Sequence, residues 1–330
     1  MGARPPHPLH HRKRLMNRLT AIRVVSWLRR EPFPISTVAV PLETGDDAGE
    51  LLVGLPSAQV PSKERSSELR RSSQYATAPG RKGKVRPLKV DVHVPESAGP
   101  FPLVLYVPGG GFLVAPRQMA RAQRAYVADA GYVVASIEYR TVNDDATFRE
   151  GLADVCAAIQ YLHDHAAEFK IDTRSMALWG ESAGGYLASL AATTCVPAIP
   201  VNAVVTMVGG SDLSFVSAGF DEETAARWHG PTSSLTRYVG SPPPEEANPV
   251  SNVSPSTAPF LLFHGEDDRI VSPRQSLLMH RALRSAGARS RRVVLAGAGH
   301  GEMSFRRNDI KVWTSGALMD MVVEFLRQNA

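Results

Sequence analysis

Ser182 stands in Leu178-Trp179-Gly180-Glu181-Ser182-Ala183-Gly184-Gly185-Tyr186, where an apolar run breaks into Gly-x-Ser-x-Gly and then continues as helix-forming sequence. A serine on a sharp strand-to-helix turn has its Oγ pushed clear of the sheet, and the flanking glycines let neighbouring backbone approach the turn. The N–H of Ala183 then falls at a helix start, where it can donate to a developing oxyanion. Gly-x-Ser-x-Gly is a weak pattern alone. The apolar residues 176–179 before it and the Ala- and Leu-rich residues 186–193 after it supply the strand-turn-helix context. A nucleophile placed this way needs a base, an acid to orient the base, and an anion hole.

Three other loops offer those groups. Gly109-Gly110-Gly111 follows the continuous apolar run 102–107. Glycines directly after a buried strand leave main-chain N–H groups free to converge on one small volume, so this glycine run is a candidate to form the anion hole with Ala183. A flexible turn would need only two glycines. His264-Gly265-Glu266-Asp267-Asp268-Arg269 follows the apolar run 260–263. Either aspartate can fix an imidazole tautomer and stabilise the imidazolium, and a solvated acidic turn paired with Arg269 accounts for either one alone. Charge pattern does not choose between them. His300, among small residues in Gly297-Ala298-Gly299-His300-Gly301 after the run 292–295, can swing over the serine turn as general base. His163, His165 and His280 fall in helical stretches and His229 in an irregular one, while His264 heads the acid loop, where a structural hydrogen bond is expected.

The elements that must carry these loops read clearly from residue 87 onward. Residues 88–94 alternate as a strand exposed on one face, and 102–107 read as a fully covered strand. Further strands are predicted at 132–137, 203–208, 260–263 and 292–295, with helices at 117–130, 148–168, 275–286 and 312–326. This alternation implies an α/β fold with a mostly parallel central sheet and helices on both faces. In such sheets ligands sit at the carboxyl ends of the strands, where all four loops fall. A small cap insertion at about 210–257 contains Phe215, Phe220, Trp228 and Tyr238. It is too long for an ordinary connection and too apolar for a linker, so it is expected to fold over the strand ends and wall the pocket.

Residues 1–85 read as an N-terminal extension to a catalytic domain at 86–330. The extension holds a short basic helix at 16–30, strand-like composition at 35–41 and 51–55, and a Ser-, Arg- and Lys-rich stretch at 61–84 expected to be a mobile linker. Met16 offers a second start, and His7, His10 and His11 belong to a basic tail rather than a metal tract. The net charge is +5, but residues 1–31 carry +7 and the remainder −2, so the catalytic body is not built for nucleic acid. Cys156 and Cys195 lie in apolar helical stretches and are expected to be reduced thiols. No run reaches the roughly 18 apolar residues of a membrane span, and no secretory signal is visible, so a cytoplasmic protein is expected.

The chain order Ser182, acid, His300 matches α/β-hydrolases and differs from trypsin-like and subtilisin-like proteases. With Gly109-Gly110-Gly111-Phe112, Gly180-Glu181-Ser182-Ala183-Gly184-Gly185, His264-Gly265-Glu266-Asp267-Asp268 and Gly299-His300-Gly301, residues 88–326 resemble the esterase/lipase branch of that superfamily. The resemblance is to the hormone-sensitive-lipase group and to feruloyl/acetylxylan esterase-like proteins. It implies an α/β-hydrolase fold and places the catalytic acid on Asp268, with Val271 three residues later, and the anion hole on Gly110, Gly111 and Ala183. It further implies a small-molecule ester as substrate, a triad of Ser182, Asp268 and His300, and chemistry that needs neither a metal nor an organic cofactor. Pro108 is a departure, because the family usually carries a histidine there. The anion hole is expected to survive with altered geometry, proline offering rigidity but no side-chain donor. Rival readings with the same triad are an acyltransferase, a formamidase or a peptidase; a non-catalytic binding protein is the rival outside the enzymes.

Overall fold

A computed structural model describes residues 33–60, 67–195, 197–301 and 309–330. The basic stretch 16–30 and His7, His10 and His11 lie outside the described residues.

The strands are β1 (Glu50–Leu52), β2 (Ser67–Pro79), β3 (Val85–Pro95), β4 (Phe101–Val107), β5 (Val133–Ile137), β6 (Ile171–Glu181), β7 (Val201–Met207), β8 (Phe260–Gly265) and β9 (Ser290–Leu295). Among the described residues they form one sheet in the order β1-β9-β8-β7-β6-β4-β5-β3-β2. Every neighbouring pair is parallel except those made by β3, which runs antiparallel to both β2 and β5. The helices are α1 (Arg121–Asp129), α2 (Phe148–Asp164), the single turn α3 (Ala166–Phe169), α4 (Ala183–Thr194), α5 (Glu222–Trp228), α6 (Ser234–Val239), α7 (Arg274–Ser285), α8 (Asp309–Trp313) and α9 (Gly316–Asn329). None of those described is long and apolar enough to cross a membrane.

The continuous apolar run of β4 is explained by its two covered faces. Leu103, Leu105 and Val107 join the core beneath α2, α4 and α7, while Val104 and Tyr106 join the core beneath α1 and α9. Thr147 and Glu150 form a capping box that starts α2, whose buried Val155, Ala158, Ile159 and Leu162 recur at helical spacing toward the first core. The helix expected over 148–168 is broken at His165, and the one expected over 312–326 is divided between α8 and α9.

Four expectations are corrected. Residues 67–79, read as mobile linker, form β2 along β3; as the outer strand it buries Tyr75 and Ala78 alone, so a polar composition suffices. Residues 35–41 form no strand, and Ser36 and Thr37 instead bind the Asp221 carboxylate at the start of α5. The face of β3 read as exposed is covered, with Asp91 and His93 buried and Arg117 Nε donating to Asp91 Oδ1 at 3.0 Å. Finally, Cys156 on α2 and Cys195 at the end of α4 are joined as a disulfide rather than held as reduced thiols, because the two helices pack side by side.

Candidate active site

β6 ends at Glu181 and α4 begins at Ala183, leaving Ser182 alone to make the turn at φ 53°, ψ −121°. This left-handed region costs a non-glycine residue on the order of 1–3 kcal/mol, so the surroundings must hold it. Ser182 N–H donates to Met207 O at 2.8 Å, and Ser182 O accepts from Tyr186 N–H at 3.0 Å. The glycines of the motif are required by backbone crowding. A Cβ on Gly184 would collide with the carbonyl oxygens of Val107 and Pro108, and one on Gly180 with Gly184 O.

The acid and histidine loops leave adjacent strands at the same level, since Gly265 of β8 pairs with Leu295 of β9. Asp267 N–H donates to Ala298 O at 2.8 Å, and Gly297 N–H donates to Glu266 Oε2 at 2.7 Å, so the loops are zipped together. Asp268 Oδ1 accepts from Ile270 N–H at 2.9 Å and Val271 N–H at 3.0 Å, which aims Oδ2 at His300 Nδ1, 2.7 Å away. His300 Nε2 lies 2.8 Å from Ser182 Oγ. Asp267 turns the other way and accepts from Arg269 Nε at 2.6 Å. Geometry thus separates two aspartates that composition leaves equivalent.

Burial pushes the Asp268 carboxyl up, but facing His300 and hydrogen bonds from His264 and His300 outweigh it and hold it well below the usual carboxylate range. An ionised Asp268 requires the His300 proton on Nδ1, which leaves Nε2 to accept from the Ser182 hydroxyl. His264, fully buried, places Nε2 3.2 Å from Asp268 Oδ2 and 3.1 Å from Val271 O. Both contacts bear on the acid loop that it heads. Glu181, next to the serine, is also buried, and its carboxylate lies where a Cβ on Gly301 would be.

The glycine loop passes directly over the serine turn, and a Cβ on Gly109 would meet Glu181 O at 2.9 Å and Ser182 Cβ at 3.2 Å. Gly110 and Gly111 adopt φ of 152° and 60°, and Gly110 O accepts from Leu113 N–H at 3.0 Å. The loop is braced where the resemblance leads one to expect a histidine: Tyr139 Oη donates to Pro108 O at 2.9 Å. The brace comes from β5's carboxyl end and acts on the main chain, so any residue at 108 could receive it. The sequence carries no local signal for it.

Ser182 and His300 open onto a small cavity of about 20 Å³, whose apolar walls include Phe112, Leu213, Val216 and Trp228. Of the four cap aromatics, Trp228 lines it, Tyr238 is buried against Phe112, Phe220 is half-buried away from it, and Phe215 is mostly exposed. Another wall, Phe33, comes from the stretch read as an N-terminal extension and was missed from sequence. It lies against Gly111, where a Cβ would collide with its ring. Among the described residues no cluster of three or more His, Cys, Asp or Glu could hold a metal ion.

The BD-FAE family model matches residues 90–283, a span that contains the serine turn, the glycine loop and the acid loop. Among curated proteins, the chain is 28% identical to "Esterase LipQ" of Mycobacterium tuberculosis over 57% of this chain and 47% of that protein. It is 24% identical to "Probable isoprenylcysteine alpha-carbonyl methylesterase ICMEL1" of Arabidopsis thaliana over 72% and 52%, respectively. The chain therefore spans about half the length of the curated relatives it matches. Among solved structures, a truncated carbohydrate esterase from gut microbiota superposes with a TM-score of 0.68 at 21% identity, covering 82% of this chain and 99% of that one. Est2, an esterase from Thermogutta terrifontis, gives 0.62 at 24% identity, covering 80% and 92%. These structures share the α/β-hydrolase fold with the sheet and loops described above. By the extent of the family match, the chain belongs to the BD-FAE family.

Proposed function

We propose that this chain is a serine carboxylic-ester hydrolase acting through an acyl-enzyme on Ser182, with Asp268 and His300 completing the triad. The observation that carries the reading is the unbroken line of hydrogen bonds from Asp268 to His300 at 2.7 Å and from His300 to Ser182 at 2.8 Å, ending in an apolar cavity. Ser182 Oγ attacks the ester carbonyl carbon while its proton passes to His300 Nε2, and Asp268 stabilises the imidazolium. N–H groups of Gly110, Gly111 and Ala183 receive the carbonyl oxygen as it gains charge. His300 returns the proton to the departing alcohol, then takes one from the water that attacks the acyl-enzyme, restoring Ser182. The relatives named esterases support this reading.

The substrate is a small-molecule ester with a short acyl group, matched to the small cavity. The Cys156–Cys195 disulfide favours an oxidising compartment over the cytoplasm read from sequence. The deciding experiment is intact-protein mass after fluorophosphonate treatment, with peptide mapping, alongside p-nitrophenyl acetate hydrolysis. One adduct on Ser182 and loss of hydrolysis in a folded Ser182→Ala variant are expected. An unlabelled Ser182 in folded protein, or an active Ser182→Ala, overturns the assignment.

A further inference from the structure

Phe33 and Trp228 stack with ring centroids 6.1 Å apart and planes 17° from parallel, and both are buried. They line two spaces at once. One is the small cavity holding Ser182 and His300; the other is a groove of about 920 Å³ that also borders Leu113, Arg227 and Arg237. The stack is the partition between them. Its two halves come from distant sequence but are stapled together: Asp221 Oδ2 accepts from Ser36 Oγ and Thr37 N–H at 3.0 Å each, while Oδ1 caps α5 through Thr224 N–H at 2.9 Å. Phe33 lies just before that staple, and Trp228 ends the helix it starts. Arg269, beside Asp268, accepts from Ser36 N–H through its carbonyl at 2.9 Å, fixing the partition to the acid loop.

We infer that the Phe33–Trp228 stack sets the longest acyl group the site accepts, a reading that rests on the ester-hydrolase assignment. During turnover the alcohol leaves and water enters, each exchanging a proton with His300. The acyl group stays bonded to Ser182 through both steps, so the small apolar cavity onto which Ser182 opens is its place. A straight acyl chain that outgrows this cavity meets the two rings, and beyond them the groove has the volume of a drug-sized ligand site. Phe33 and Trp228 are thus specificity-determining residues, and a wild-type enzyme prefers short acyl chains.

The test is kcat/KM over p-nitrophenyl acetate through decanoate for wild type, Phe33→Ala and Phe33→Leu, each checked by fluorophosphonate labelling and melting. Removing the ring should raise the octanoate-to-acetate ratio by about tenfold or more, since each fitted methylene carries this order of discrimination. Phe33→Leu, which keeps most of the buried apolar area, should move the ratio the same way by less, and serves if Phe33→Ala does not fold. A labelled, folded variant with an unchanged chain-length profile overturns the partition and leaves the hydrolase reading standing. Failure of the wild type to label at Ser182 overturns both.

Discussion

Tyr139 donates its hydroxyl to the carbonyl oxygen of Pro108 at 2.9 Å, holding from behind the glycine loop whose Gly109 packs on the Ser182 turn. Both groups of this pair are buried, so removing the donor leaves a carbonyl without its partner. Tyr139→Phe is expected to cost about 1–3 kcal/mol of stability. If the loop's N–H groups stabilise the transition state, kcat should fall by about tenfold or more with KM little changed. Denaturant melts and steady-state kinetics on a short p-nitrophenyl ester measure both effects; an unchanged kcat would show that the brace has no bearing on the anion hole.

Asp268 and His264 make contrasting predictions. Asp268→Asn keeps the shape but no longer requires the proton on His300 Nδ1, and kcat is expected to fall by about 10⁴. His264→Gln removes an imidazole hydrogen bond to the same carboxylate while leaving those from Ile270 and Val271, so its loss should be far smaller. The ranking is read from kcat on one substrate, and equal losses would contradict the separation of roles.

His280 governs part of the acid stability. It is buried on α7 with Nδ1 2.8 Å from Ser290 Oγ, and burial with nearby Arg284 and Arg292 lowers it from 6.5 to about 4. The unfolded chain therefore takes up a proton that the folded chain refuses between those values. Stability from this residue is intact above 6.5 and is lost as pH falls toward 4. His280→Asn should flatten the stability–pH curve over that window, as followed by urea midpoints at a series of pH values. An identical slope in the variant would remove His280 from the account.

The Cys156–Cys195 pair closes a loop with a sequence separation of 39, and breaking it is expected to cost about 2–4 kcal/mol. Thiol titration of denatured protein should find no reactive cysteine before reduction and two afterward. Finding two thiols in protein purified from an oxidising medium would restore the reduced-thiol reading.

From β4 onward the fold was legible because the central run of each strand is covered on two faces and is apolar, so strand and helix alternate visibly in the residues themselves. Three of the site's groups were legible for a related reason: Ser182, Asp268 and His300 each follow such a strand closely. Charge pattern left Asp267 and Asp268 equivalent and only the resemblance chose Asp268, because the choice depends on which carboxylate the Ile270 and Val271 N–H groups point toward. β2 escaped notice because an outer strand with two buried side chains needs no apolar pattern. Phe33 escaped because its partner Trp228 is almost two hundred residues away, and nothing local to residue 33 signals the stack.

The antiparallel β2–β3 ribbon has a practical bearing on where the chain can be cut. A fragment begun at residue 86, where the alternation becomes obvious, would strip β2 away and leave β3 presenting unpaired backbone groups along a sheet margin rich in Leu88, Val90, Val92 and Val94. Such a margin is a template for strand addition by other copies, so the trimmed fragment should self-associate. It would also arrive without one wall of its own cavity, since Phe33 lies upstream of the cut.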